Sequence, residues 1–301
     1  MDPRGRLGAI RSAAASRSGT LRAAVSPGGF RAAAVELVWI SAHVVMYPIG
    51  LLEERAREGA DRYSIEDLPP SHRGLMVGDV EAAGTPILLI HGVVDNRSIF
   101  TVMRRGLRRR GFGRIYTLNY SPLTDDVRDV AGRLAETIEA ICADTGYERI
   151  HLIGHSMGGL IARQYVQKMG GDARVHTCVT LGTPHGGTYP ARLVPHPVAR
   201  QLRPGSELLT ELAAPAPGCR TRFLAFWSDL DQLMIPKASA QLHHPDLLAR
   251  NVFVRGVGHL SLPIDGRVVR EIAVTLAHLD HDGTTLSAGI STLRASGTAG
   301  A

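Results

Sequence analysis

Gly154, Ser156 and Gly158 set out a G-x-S-x-G pattern inside the stretch Arg149–Leu160. An apolar run of strand character ends at Gly154, and a helix-like run, Leu160–Val166, begins soon after the serine. A chain that passes so abruptly from strand to helix forces its middle residue into a strained backbone conformation. The flanking residues must be small for the two elements to approach. The serine hydroxyl is then held up at the end of a sheet, and the amides of the helix start point at whatever it attacks. Alone, G-x-S-x-G is a loose pattern in a chain with 33 glycines. The strand before it and the helix after it make Ser156 the candidate nucleophile.

A serine hydroxyl needs a histidine to take its proton and a carboxylate to hold that histidine's tautomer. In a parallel sheet, the loops just after strands can supply both. His259 follows a strand-like run on a loop with Gly256 and Gly258, and is the candidate base. His185, in Thr183-Pro184-His185-Gly186, is the alternative; that segment reads rather as a shaping loop. His155 adjoins the serine but is aimed elsewhere by the turn. Asp229 and Asp231 both lie at a strand end, and loop geometry prefers Asp231 as the acid. Glu207 and Glu211 are poorer choices. Two amides are expected to bind an oxyanion, Met157 after the nucleophile and Val93 in the loop His91–Asn96, where Gly92 permits a tight turn. His91 is expected to brace that loop. Cys142, Cys178 and Cys219 fit no metal or redox spacing, and no cofactor is called for.

The elements that would position these residues alternate along the chain. Strands are expected at 86–90, 115–120, 149–154, 175–181, 222–227 and 252–255, with a weaker one at 74–80. Helices are expected at 98–110, with Asp95 or Asn96 near the cap, and at 125–143, 160–166 and 268–279. Strands separated by helix-length segments imply a mostly parallel sheet covered on both faces. Thr183–Gly218 carries seven prolines and interrupts the alternation. In such folds an insert of this kind sits over the strand C-termini, where it could cap the serine. A plain surface connection is the other reading.

The organisation expected is a basic leader at 1–33, an apolar helix at 34–56, an α/β domain at 70–281 with its cap-like insert at 183–218, and a disordered tail at 282–301. The apolar block 34–52 would span about 28 Å as a helix, close to a bilayer core. Glu36, His43 and Pro48 inside it each raise the cost of insertion. A helix lying on a membrane surface, or packed on its own domain, is therefore the alternative to a span. Localisation is expected at a membrane, with the cytoplasm as the alternative, and no removable signal peptide is indicated. The net charge of +6 comes almost wholly from arginine, since Lys168 and Lys237 are the two lysines. The densest basic run, Arg104 to Arg110, lacks interleaved aromatics. It reads as a solvated helix face, and no nucleic-acid partner is expected.

Five blocks in order carry a family resemblance: PILLIHGVVDN (86–96), HLIGHSMGGLIAR (151–163), VTLGTPHGGT (179–188), SDLDQLMIP (228–236) and RGVGHLSLP (255–263). With them the chain resembles α/β-hydrolases of the bacterial lipase/esterase group, of actinobacterial type. The resemblance implies Ser156, Asp231 and His259 as nucleophile, acid and base, Val93 and Met157 as oxyanion amides, and ester hydrolysis through an acyl-enzyme. TPHGGT is similar to a segment of true lipases, which favours acyl-lipid substrates. The N-terminal leader and apolar block depart from the simplest secreted lipases. An acyltransferase on the same fold, or a binding protein that retains it, are the competing readings.

Overall fold

A computed structural model describes residues 80–93, 97–121, 126–277 and 289–293. The leader, the apolar block 34–56, the expected strand at 74–79 and the caps Asp95 and Asn96 lie outside them. Val80 itself opens a short helix, α1 (Val80–Gly84), not a strand.

Among the described residues seven strands form one sheet: β1 (Ile87–Ile90), β2 (Ile115–Leu118), β3 (Ile150–His155), β4 (Val175–Leu181), β5 (Arg222–Ser228), β6 (Leu248–Val254) and β7 (Gly289–Leu293). Their order is β2-β1-β3-β4-β5-β6-β7, and every neighbouring pair runs parallel. β7 falls within the stretch expected to be an unstructured tail. Its run Gly-Ile-Ser-Thr-Leu is short and half polar, so its strand character comes from pairing with Arg250–Val254.

The helices are α2 (Thr101–Arg108), α3 (Val127–Thr145), α4 (Met157–Lys168), α5 (Pro197–Gln201), α6 (Glu207–Ala213) and α7 (Gly266–Leu276). α3 begins where Asp126 accepts a hydrogen bond from the Arg128 amide. It ends where Gly146 turns left-handed, at φ 75°, and donates to Cys142. Those are the N-cap and C′ signals that a helix of this length requires. α2 is preceded by a tighter 3-10 turn, Arg97–Phe100.

Both faces of the sheet are covered, and the two-residue period of the strands divides the core. Leu88, Ile90, Leu152, Phe223 and Ala225 face α3, α4 and α6. Ile87, Leu89, Ile153, Leu224 and Phe226 face α1, α2 and α7. A strand buried on both sides needs apolar residues at every position, as ILLI and FLAF supply. The insert Thr183–Gly218 is the crossover from β4 to β5. Its Val198, Leu208 and Leu212 belong to the core. Arg128 of α3 pairs with Glu207 and Glu211, and Gln164 of α4 donates to Glu211 at 2.8 Å. Both glutamates therefore serve to fix the insert. The three cysteines are unpaired thiols; Cys178 is fully buried in the sheet.

Candidate active site

Ser156 stands between the last residue of β3 and the first of α4, at φ 54° and ψ −123°. It is the non-glycine residue with positive φ among the described residues. A left-handed backbone at a residue with a side chain is costly and persists only where neighbours impose it. Here they do. A Cβ at Gly154 would lie 2.5 Å from the Gly158 carbonyl carbon, one at Gly158 2.2 Å from the Ile90 oxygen, and one at Gly159 2.0 Å from the Thr183 hydroxyl. The glycines let α4 press against the ends of β1, β3 and β4 at once. The Ser156 amide donates to Leu181 at 2.9 Å, which ties the turn to β4.

Asp231 and His259 come together from neighbouring strand ends, the first after β5 and the second after β6. His259 Nδ1 donates to Asp231 Oδ2 at 2.8 Å, and the two are 1% and 0% exposed. The other Asp231 oxygen accepts the amides of Leu233 and Met234, each at 3.1 Å. Three donors hold one carboxylate and fix its plane. Lys237 donates to the Asp231 carbonyl. Burial draws the Lys237 ammonium below its usual pKa, with Asp231 and Asp229 opposing that shift. Asp229 faces away and accepts the Gly256 amide at 2.7 Å, while Ser228 donates to Val257 at 2.6 Å. This aspartate and serine hold the loop that carries His259.

Two neighbours escape a reading of the sequence. His155 Nε2 donates to the His259 carbonyl at 3.1 Å, and their rings lie 4.7 Å apart. Adjacency to the serine had suggested only that His155 points away, whereas it braces the histidine loop. Gly182, at φ 54°, follows β4 directly. A Cβ there would lie 2.8 Å from Asp231 Oδ2 and 3.0 Å from His259 Nδ1. A lone glycine after a strand was the sole signal available for it.

His185 is committed elsewhere. Arg163 donates to its Nδ1 at 3.2 Å, so Nε2 carries the proton and donates to the Thr180 hydroxyl at 3.0 Å. Burial first, then Arg163 and His243, hold its pKa well below the ordinary histidine value. Arg163 also donates to Leu212 and Gln167. Burial lowers its own pKa to about 10. On the opposite side, Val93 is half-buried after β1. His91 donates to the Gly92 carbonyl at 3.0 Å and stacks on Tyr120, whose hydroxyl donates to the His91 carbonyl at 2.6 Å.

An apolar patch lies where the insert meets the loop that follows Asp231. The Thr188 hydroxyl accepts the Ile235 amide and donates to the Leu233 carbonyl, and the Tyr189 amide donates to Ile235. The insert is thus joined to the loop that carries Asp231. Around the junction Tyr189, Leu193, Val194, Leu233 and Ile235 are exposed, Leu193 to 85%. No cluster of metal-ligating residues occurs among the described residues. Nor is any of their helices long and apolar enough to cross a membrane.

Residues 86–214 match the family model described as palmitoyl protein thioesterase. Two triacylglycerol lipases, from Pseudarthrobacter phenanthrenivorans and Burkholderia plantarii, are each 32% identical over 111 residues. The matches cover 34% of this chain and 34% and 30% of the lipases. The chain thus spans about a third of the curated relatives it matches. Among solved structures, Aspergillus fumigatus lipase B superposes with a TM-score of 0.56 at 17% identity, covering 67% of this chain and 55% of that one. Mature lipase BlEst2 of Bacillus licheniformis gives 0.53 at 17% identity, covering 65% and 92%. At such identities the superpositions speak for the fold, and the sequence matches add the kinship. Strand order, the turn at Ser156 and these likenesses agree on an α/β-hydrolase fold, and part of the sequence is similar to lipases and to a thioesterase family.

Proposed function

We propose that the protein hydrolyses carboxylic esters of acyl lipids through Ser156, His259 and Asp231. The observation that carries this reading is a strained serine at a strand–helix turn, beside a fully buried histidine–aspartate pair 2.8 Å apart. With Nδ1–H given to Asp231, the lone pair of His259 is left on Nε2. Ser156 Oγ attacks the acyl carbonyl carbon while its proton passes to Nε2. The carbonyl oxygen becomes an oxyanion, received by the amides of Met157 and Val93. The ester C–O bond breaks, the leaving alcohol takes the proton from Nε2, and an acyl-serine remains. Water then gives a proton to Nε2 and adds to that acyl group; the serine leaves with the proton, releasing a carboxylic acid. Asp231 stabilises the transient imidazolium.

The apolar patch supports an acyl-lipid substrate, because its exposed side chains offer surface to an alkyl chain. The proline-rich segment Thr183–Gly218 supplies three of the five patch residues, which supports its reading as a partial roof over Ser156. The thioesterase match adds a thioester as the competing scissile bond. Turnover of p-nitrophenyl esters of graded chain length, and of an ester–thioester pair with one acyl group, tests the reading. Ser156→Ala is expected to lower kcat by at least about 10⁴-fold. Equal turnover by both proteins overturns the triad. Preferential cleavage of the thioester reassigns the bond, and dominant transfer to an added alcohol reassigns the acceptor.

A further inference from the structure

The arginine run of α2 takes no part in the chemistry above, and it borders a cavity. A groove of about 370 Å³ lies between α2 and the first turn of α7, lined by Val102, Gly106, Arg109, Arg110, Gly266 and Val269. Its floor is apolar. Val102 is 45% exposed, and a Cβ on Gly106 would lie 2.6 Å from a Val269 methyl, so the helices meet in close contact beneath the opening. Its rim is cationic. Arg109 gives one N–H to the Arg105 carbonyl and Arg110 one to the Gly106 carbonyl. A guanidinium has five N–H donors, so most remain for a ligand. No carboxylate among the described residues pairs with Arg109 or Arg110. The two acids of α7 and its cap are engaged elsewhere, Asp265 with Arg267 and Glu271 with Arg250.

An alkyl floor beside two guanidinium groups matches an amphiphilic anion. A simple phosphate would leave the floor uncovered, and a neutral lipid would leave the arginines unmet. We infer that this groove binds a monomeric fatty-acid anion, with its carboxylate on Arg109 and Arg110 and its chain along Val102 and Val269. The site is separate from Ser156, and the loop from His259 to Asp265 leads directly into the helix that forms one wall. It goes beyond the proposed hydrolysis and does not depend on it.

The full chain carrying Ser156→Ala is titrated calorimetrically with dodecanoate below its micelle concentration. Saturable binding is expected, weakened at least tenfold in Arg109→Gln/Arg110→Gln and in Val102→Glu, both with unchanged circular dichroism. Dodecanol is expected to bind at least tenfold more weakly. Since an acyl chain could also enter near Ser156, a diazirine-bearing dodecanoate locates the ligand. Cross-links in peptides covering 101–110 and 266–277 support the groove. Cross-links confined to peptides carrying Ser156 or residues 183–236 overturn it. So does binding to phosphatidylglycerol vesicles without binding of monomeric dodecanoate, which would make the patch a membrane contact. Loss or retention of esterase activity bears on the triad and leaves these readouts untouched.

Discussion

Two aspartates two residues apart have different work, and the difference lies in their hydrogen bonds. Asp231 meets His259, whereas Asp229 meets the backbone of Gly256. Asp231→Asn keeps the shape but offers the imidazole the wrong tautomer, so kcat on p-nitrophenyl butyrate should fall about 10⁴-fold. Asp229→Asn retains an oxygen for the Gly256 amide; its kcat should stay within about threefold, with a stability loss of about 1 kcal/mol by urea denaturation. The reverse ranking would transfer the acid role to Asp229. Ser156 is legible in the sequence because the glycines that make its turn possible, Gly154, Gly158 and Gly159, lie within three residues of it. The Asp231–His259 contact bridges 28 residues, yet it is legible too, since both residues sit just past strands. The His155 brace reaches across 104 residues to a carbonyl, and no residue type announces such a bond.

At the level of elements, the crossover between β4 and β5 does two things at once. α6 buries Leu208 and Leu212 against α4, while Tyr189, Leu193 and Val194 stay outside and expose their side chains. The sequence offered a cap and a plain connection as alternatives, and the segment has the packing of a connection with the exposed apolar edge of a cap. Prolines mark where regular structure stops but not which residues end up facing solvent. Burying a leucine against an alkyl chain is worth about 1.5–3 kcal/mol, or about tenfold or more in binding. Leu193→Asp should therefore lower kcat/KM at least about tenfold for a dodecanoyl ester and leave the butyryl ester within about twofold. A uniform loss across chain lengths would remove the patch from substrate binding. β7 escaped a sequence reading because a five-residue edge strand with two hydroxyl residues has little pattern of its own.

For the molecule as a whole, acid sensitivity is built into the sheet. His151 is fully buried in β3, and neither ring nitrogen has a partner among the described residues. Burial chiefly, then His176, Arg222 and Arg149, hold its pKa well below the ordinary value, and burial does the same to His185. Above about pH 6.5 both folded and unfolded chains carry these rings neutral, and the two histidines add no pH dependence. Below it the unfolded chain takes up protons that the folded chain refuses, so stability falls with falling pH by about 1.4 kcal/mol per unit for each ring. The depressed carboxylates Asp172 and Asp265 act in the same direction, but only as pH falls below about 4. Urea denaturation of His151→Leu should show a slope between pH 6 and pH 5 shallower by about 1.4 kcal/mol per unit, with stability at pH 8 undiminished. An unchanged slope would clear His151 of the acid response. The same compactness bears on Gly182. Any side chain there intrudes on the Asp231–His259 pair, so adaptation to a new substrate has no route through that position. Exposed residues such as Leu193 can change size without disturbing that pair, and they are where selection for a different acyl group is expected to act.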